Sequence, residues 1–390
     1  MRRVYFDNSA TTPVLPEVFE AMRPFFGEHF GNASSIHHHG QETRSAVEQA
    51  RESVAGLLGC RSPEVVFTSG GTEADNLAIF GIVSTGDHVI TSNVEHHAVL
   101  NACKHLESEG CTVTYLPVNG QGQVDPDDVR RALRAETTLI TIMMANNETG
   151  VLLPVEEIGK IAAEAGVWFH TDAVQAAGKM PLEVDQIGCD LLTVSGHKLH
   201  APQGVGALYV RKGTSLRPML YGGRHERSRR AGTENVPAIV GLGKAAELAR
   251  TKLRSGQSAM AAMRDRLERS LLQIESSGVN GGEAPRVPQT SSMHFDFIDA
   301  EALVIALDLK GLAVSTGAAC SSGAIEPSHV LMAMGLAPER ARASVRFSFA
   351  EQNSMDEVEF AIGLVGETVA RLRELSPVKT AGSRQSSVVS

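Results

Sequence analysis

The sequence predicts an α/β protein: a large unit built on a mainly parallel sheet covered by helices on both faces, followed by a smaller α+β unit. Three observations carry this. From about residue 64 to 210, short apolar runs alternate with helix-favouring stretches. Two of those runs end in chemistry. Gly166-Val167-Trp168-Phe169 leads into His170-Thr171-Asp172-Ala173-Val174-Gln175, and Asp190–Val194 leads into Ser195-Gly196-His197-Lys198. From Pro237 to about Glu275 the pattern is helical, broken only by Gly241, Gly243 and Gly256, and reads as a link between two units.

Taken in order, Val65-Val66-Phe67 reads as a strand and the chain turns helical from Thr72. A strand at His88-Val89-Ile90 precedes a helix from about His97 to Glu109, and Thr112–Tyr115 is a further strand. Leu139–Met144 is a continuous apolar run, as expected of a central parallel strand buried on both faces. A helix near Val155–Ala165 and the two marked strands follow, and Val205–Val210 closes the series. Ligands on such sheets sit at the carboxyl ends of the strands, where both marked strings lie. Beyond the link, a turn-rich stretch at 276–290 precedes strands near Ser292–Phe295 and Ser344–Phe349. The expected division is an N-terminal segment 1–15 joining the small unit, a large unit over 16–255, a small unit over 256–376 and a polar, disordered tail over 377–390.

Composition narrows the classes. The 390 residues are 42% hydrophobic and 21% charged, with a formal net charge of −9, which disfavours generic binding to nucleic acid or to anionic membranes. Arg2 and Arg3 are not followed by an apolar stretch, so neither a signal peptide nor a membrane span is expected. The five cysteines (Cys60, Cys103, Cys111, Cys189, Cys320) lack C-x-x-C spacing. They read as free thiols in a reducing cytoplasm.

The chemistry-bearing residues each have a bland and a sharp reading. Lys198 alone could be a surface lysine, and Asp172 alone a helix cap. Together, an amine and a carboxylate at one sheet edge suit pyridoxal phosphate, which needs a Schiff-base partner and an anion that keeps its pyridine nitrogen protonated. Gln175 can reach the ring's phenolic oxygen. Thr68–Glu73 joins a strand to a helix, and Gly71 and Thr72 could cradle a phosphate there or simply make a capped turn. His96, in Glu95-His96-His97-Ala98, could stack on a flat ring. Adjacent His96 and His97 make a poor metal pair, and no resident metal is expected. His37, His38 and His39 read as loop or helix-start residues. Asn147 follows the strongest apolar strand. Arg224, Arg227, Arg229 and Arg230 form a basic cluster suited to a local phosphate or a subunit contact. Cys320 lies in a small, polar run unlike the setting of a structural cysteine. Arg346, on an apolar strand, suits either a bidentate grip on a carboxylate or a structural ion pair.

Together these residues resemble the cysteine desulfurases of the NifS/IscS type, in the class V aminotransferase branch of the fold-type I pyridoxal-phosphate enzymes. The resemblance runs from Tyr5–Pro13 through Phe67–Asn76, Glu95–Val99, Asn146–Gly150, His170–Gln175, Ser195–Lys198, Gly222–Thr233 and Ser315–Leu331 to Arg346. It implies that Lys198 holds the cofactor, that Asp172 partners the pyridinium and that His96 stacks on the ring. Gln175 and Asn147 would lie near the ring oxygen, and Gly71, Thr72, Ser195 and His197 at the phosphate. Thr233 would reach the phosphate of a second copy in a homodimer. Asn8 and Arg346 would bind the substrate, L-cysteine. Cys320 would carry sulfur as a persulfide to an acceptor protein, such as an iron–sulfur cluster scaffold, where it could transiently ligate a cluster, or a tRNA-thiolation protein. The alternatives are another class V enzyme (an aminotransferase, a selenocysteine lyase or a cysteine-sulfinate lyase) or a silent binding subunit. Two departures stand out. Gly31-Asn32-Ala33-Ser34-Ser35 replaces the family's Gly-Asn-Pro-Ser-Ser, and the tail after Pro377 lacks the longer extension that some relatives use to dock a scaffold.

Overall fold

A computed structural model describes residues 2–316 and 327–375. The chain opens with a short strand β1 (Val4–Tyr5), then helices α1 (Pro16–Met22) and α2 (His38–Leu58). The alternating section follows: β2 (Val65–Thr68), α3 (Gly71–Ile82), β3 (His88–Ser92), α4 (His97–Ser108), β4 (Thr112–Leu116), α5 (Pro126–Ala132), β5 (Thr137–Thr141), α6 (Val155–Ala165), β6 (Trp168–Asp172), α7 (Val184–Ile187), β7 (Leu191–Ser195) and β8 (Gly206–Val210). Helix α8 (Val236–Leu271) leads to β9 (Ser277–Val279), β10 (Thr290–Phe295), α9 (Ala300–Leu309), β11 (Leu312–Ala313), α10 (His329–Ala333), α11 (Pro338–Arg342), β12 (Ser344–Ser348) and α12 (Met355–Leu375).

Seven strands form one sheet in the order β2-β8-β7-β6-β5-β3-β4. Strands β7, β6, β5, β3 and β4 run parallel, while β8 is antiparallel to both of its neighbours. The mainly parallel sheet is therefore as expected, with β8 the one reversed strand. Burial explains the unbroken apolar runs. Successive side chains leave opposite faces of a strand, and here both faces are covered. Val65, Phe67, Ile90, Ile140 and Leu192 enter a core shared with α2 and α8. Val66, Val89, Leu139 and Leu191 enter a second core under α3 and α4.

A third core gathers Met293, Phe295, Val345 and Phe347 of the β12-β10-β9 sheet with α9 and α12. Val4 and Phe6 are buried in it, and β1 pairs in parallel with β11. The 36 residues of α8 span about 54 Å. Val236 to Ala246 belong to the first core and Met260 to Leu271 to the third. The glycines that look like helix breaks serve packing. A Cβ on Gly243 would lie 2.5 Å from Ala50 Cα of α2, and one on Gly241 would lie 2.7 Å from Met22 Sδ of α1.

Two expectations shift at their edges. The run Leu139–Met144 is strand only to Thr141, though Ile142 and Met144 still donate backbone N–H bonds to His170 and Asp172. The histidine run starts a helix: His37 is the N-cap of α2, its Nδ1 accepting from the Gly40 N–H at 3.3 Å. No described helix is long and apolar enough to cross a membrane.

Candidate active site

A cavity of about 330 Å³ opens at the carboxyl ends of the central strands. Four strand ends supply it. Strand β6 ends at Asp172, and β7 ends at Ser195 and runs into His197 and Lys198. The turn after β2 leads into Gly71 and Thr72 of α3, and the turn after β3 ends at His96. The extended segment after β5 adds Met143, Ala145 and Asn147, and Arg346 enters from β12. Of the residues singled out by sequence, this one volume brings together Gly71, Thr72, His96, Asn147, Asp172, Gln175, Ser195, His197, Lys198 and Arg346.

Lys198 Nζ donates to the carbonyls of Ser9 at 2.5 Å and Ala10 at 2.6 Å. Burial, then the nearby Arg346 charge, lower its pKa to about 8. The helix-cap reading of Asp172 does not hold, since the chain turns without starting a helix there, and Oδ1 accepts the Val174 N–H of that turn at 2.9 Å. Burial raises its pKa, against the pull of His96, that N–H and Lys198. His96 is the N-cap of α4, and its Nδ1 accepts the Ala98 N–H at 3.1 Å. Burial lowers its pKa, so the ring is held neutral with its proton on Nε2. Gln175 Nε2 donates to the Ser9 carbonyl at 3.1 Å.

Gly71 opens the 12-residue helix α3, whose free N–H groups face the cavity end. A Cβ there would press on Val174 Cγ2 at 3.1 Å and Ser195 Cβ at 3.4 Å, so only glycine leaves this corner open. A contiguous hollow continues over Thr11, Ser69, Gly70, Thr72 and Ser195. His197 shares its Nδ1 with the Thr11 hydroxyl at 3.2 Å, and burial lowers its pKa to about 4, leaving a neutral ring.

Arg346 is 5% exposed. It donates Nη1 to the Asn147 carbonyl at 2.7 Å and Nη2 to Asp7 Oδ1 at 2.8 Å. The ion-pair reading is therefore part of the truth. Its Nε has no partner among the described residues, so the guanidinium keeps donor capacity for an incoming carboxylate.

Three sequence expectations need restating. Asn8 does not line the cavity. Its amide is spent on the Tyr5 and Ser348 carbonyls and on Asn353 Oδ1, tying the N-terminal segment to β12. Neighbouring Ser9 and Ala10 line the cavity instead, and Asp7 holds Arg346. Thr233 lies outside this cavity, in a second hollow with Glu226, Arg230 and Gly232. Its segment is held firmly. Glu226, Arg227 and Ser228 all adopt left-handed φ (45°, 55°, 64°), a costly state for non-glycine residues. Buried Arg51 grips Glu226 through both guanidinium ends at 2.6 and 2.8 Å, and Arg230 pairs with Glu73 at 2.8 Å. Cys320 lies outside the described residues. Among the residues missed by sequence, Asp75 was legible. It follows Thr72 by one helical turn and is the acid on a face it shares with apolar Ala78, Ile79 and Ile82.

A fold of this kind, with a lysine and a carboxylate on adjacent parallel strand ends above a helix N-terminus, defines a fold-type I pyridoxal-phosphate enzyme. The chain belongs to the class-V aminotransferase family, which it matches over residues 4–360. It is 47% identical to the cysteine desulfurase IscS of Dictyoglomus turgidum, over 97% of each chain. Among solved structures it resembles a NifS-like protein (TM-score 0.88, 35% identity, 95% of this chain and 100% of that one). It also resembles SspA in complex with cysteine (TM-score 0.80, 37% identity, 90% and 99%). The family is pyridoxal-phosphate dependent, and the residues here fit that group: an amine with lowered basicity, a buried carboxylate and an anion cradle that only glycine leaves open.

Proposed function

We propose that this chain is a cysteine desulfurase, converting L-cysteine to L-alanine and leaving sulfur on Cys320. The observation that carries it is the convergence of Lys198, Asp172 and Arg346 on one cavity, from strands of two different sheets. When bound, pyridoxal phosphate supplies the electron sink that makes the substrate Cα–H acidic and the C–S bond breakable. The protein does the rest. Gly71, Thr72, Ser195 and His197 would hold the phosphate. His96, Gln175 and Asn147 would line the ring's site, and Asp172 would keep a proton on the ring nitrogen. Arg346 would orient the substrate carboxylate. Lys198 would anchor the group and, as a free amine, move protons at the substrate Cα. The Cys320 thiolate attacks the substrate sulfur, so an S–S bond forms as the C–S bond breaks.

The small unit (1–15 with 256–376) and the large unit (16–255) are part of this proposal, supported by the pairing of β1 with β11. So is a cytoplasmic homodimer in which Thr233 serves the second copy's phosphate site. An acceptor protein takes the sulfur onward.

Cys320→Ser tests the reading. The variant is expected to bind cofactor and cysteine, because those steps use Lys198, Asp172 and Arg346, but to form no persulfide, since a serine hydroxyl is a poor nucleophile toward sulfur. Wild type incubated with cysteine gains one sulfur mass on the Cys320 peptide and not on Cys103 or Cys189, whose thiols burial keeps protonated. Full alanine release by the serine variant would move the assignment to another class V lyase.

A further inference from the structure

The chemistry above leaves one group in the cavity without a task. Asp75 of α3 is 1% exposed, lines the cavity, and its Oδ1 has no hydrogen-bond partner among the described residues. Its nearest base is His170, whose Nε2 lies 3.6 Å away. That ring is wedged between the hydroxyls of Thr141 at 2.8 Å and Thr193 at 3.0 Å, and burial lowers its pKa to about 3. His170 is neutral and offers Asp75 no charge.

Helix α3 packs against α4 and strands β2, β5, β6, β7 and β8. Strands β2 and β5 carry no titratable residue, and Tyr209 of β8 belongs to the core on the other face. Strand β6 brings His170 and Asp172, and β7 brings the Thr193 hydroxyl. Ahead of α4 stand Glu95 and His96. On α4 itself, burial keeps the Cys103 thiol protonated and His105 packs on the Phe80 ring. Burial raises Glu95 to about 8 and keeps it protonated at neutral pH, so the charge that reaches Asp75 there is that of Asp172, and it is repulsive.

Two carboxylates in one dry volume cannot both ionise cheaply, and the proton goes to the one with fewer donors. Asp172 has the Val174 N–H and the field of Lys198. Only the Thr193 hydroxyl favours charge on Asp75. Thr193 is also the strand partner of Asp172, so the residue whose hydroxyl serves Asp75 lies beside Asp172 in the sheet.

We propose that Asp75 holds a proton in the resting site and is a positioning residue, leaving Asp172 as the single anion that faces the cofactor's ring nitrogen. The role rests on the assignment of Asp172 given above. Burial and the Asp172 charge both push the Asp75 carboxyl well above its ordinary range, in the direction this role requires.

Infrared spectroscopy of the holoenzyme reads the proton directly, through the C=O stretch of a protonated buried carboxyl followed against pH. Wild type is expected to show such absorption at neutral pH, part of it from buried Glu95, and Asp75→Asn to lose the Asp75 component. In Asp172→Asn the repelling charge is gone, so that component is expected to disappear at a lower pH than in wild type. Cofactor absorbance run alongside is expected to shift in wild type as Asp75 ionises at alkaline pH, and to show no such shift in Asp75→Asn. A band that Asp75→Asn leaves undiminished assigns the proton elsewhere and overturns the proposal. So does a midpoint that Asp172→Asn leaves unmoved. Failure of the underlying Asp172 assignment is seen separately, as wild-type turnover by an Asp172→Asn variant with its cofactor fully bound, which the infrared result does not depend on.

Discussion

Lys198 illustrates how burial prepares a residue before any cofactor arrives. With its pKa lowered to about 8, about one molecule in ten carries the free amine at pH 7, against about one in three thousand for an ordinary lysine. Only the free amine attacks an aldehyde. Loading of the apo-chain with pyridoxal phosphate, followed by absorbance in stopped flow, is therefore expected to speed up with pH to a midpoint near 8 and level off above it. Arg346→Gln removes a positive charge that disfavours the ammonium, so its midpoint is expected to rise. A midpoint that ignores Arg346 would mean that desolvation alone sets the value. At this scale the sequence was informative where chemistry needs a rare residue at a strand end, as at Asp172 and Lys198. It was uninformative where the backbone does the work. The carbonyls of Ser9 and Ala10, which hold Lys198, belong to residues whose side chains give no hint of that use. Asn8 misled for the converse reason: its side chain is conspicuous, and the fold spends it on tying strands together.

The elements show the same division. Helix α6 falls at Val155–Ala165 as its pattern predicts, because apolar residues at helical spacing and Gly166 in the left-handed C-cap position agree. Helix α8 was legible as one long helix, yet the reason for its glycines was not, since that depends on what packs against it. Gly243 makes the case measurable. Alanine at an exposed helical site gains about 1 kcal/mol over glycine. Here its Cβ would fall 2.5 Å from Ala50 Cα, a backbone atom that cannot swing aside, and overpacking of this kind costs about 1–3 kcal/mol. Overpacking wins. Gly243→Ala is expected to lower stability by up to about 2 kcal/mol in urea unfolding, with the loss borne by the α2–α8 contact. A stabilised variant would show that α2 moves away freely. The reversal of β8 was equally hidden, because a strand buried on both faces reads the same in either direction.

For the whole molecule, the unsettled question is how many chains make a site. Thr233 lies in a hollow of its own, on a segment forced into left-handed backbone by the Arg51–Glu226 pair. A conformation held at that cost is suited to reaching outward. If it serves a second copy, mixing Thr233→Ala chains with Lys198→Ala chains is expected to restore up to about a quarter of wild-type activity per total site. Statistical pairing makes half the dimers mixed, each with one intact site. The check is alanine release after co-refolding the two inactive variants. No recovery on mixing would confine each site to one chain. Sequence could mark this basic segment as a phosphate or subunit contact, but not which, because both readings use the same arginines.

The dependence of Lys198 on Ser9 and of Arg346 on Asp7 also has a temporal side. On the ribosome, the first residues must stay unpaired until β11 and β12 have been made, since β1 finds its partner at Leu312–Ala313. At roughly 5–20 residues per second, Lys198 precedes Arg346 by roughly 7–30 s. During that interval the N-terminal segment can already meet His197 and His200, but not its later partners β11 and β12. Vectorial synthesis thus makes the Asp7–Arg346 pair, and with it the carboxylate end of the cavity, one of the last parts of this chain to form.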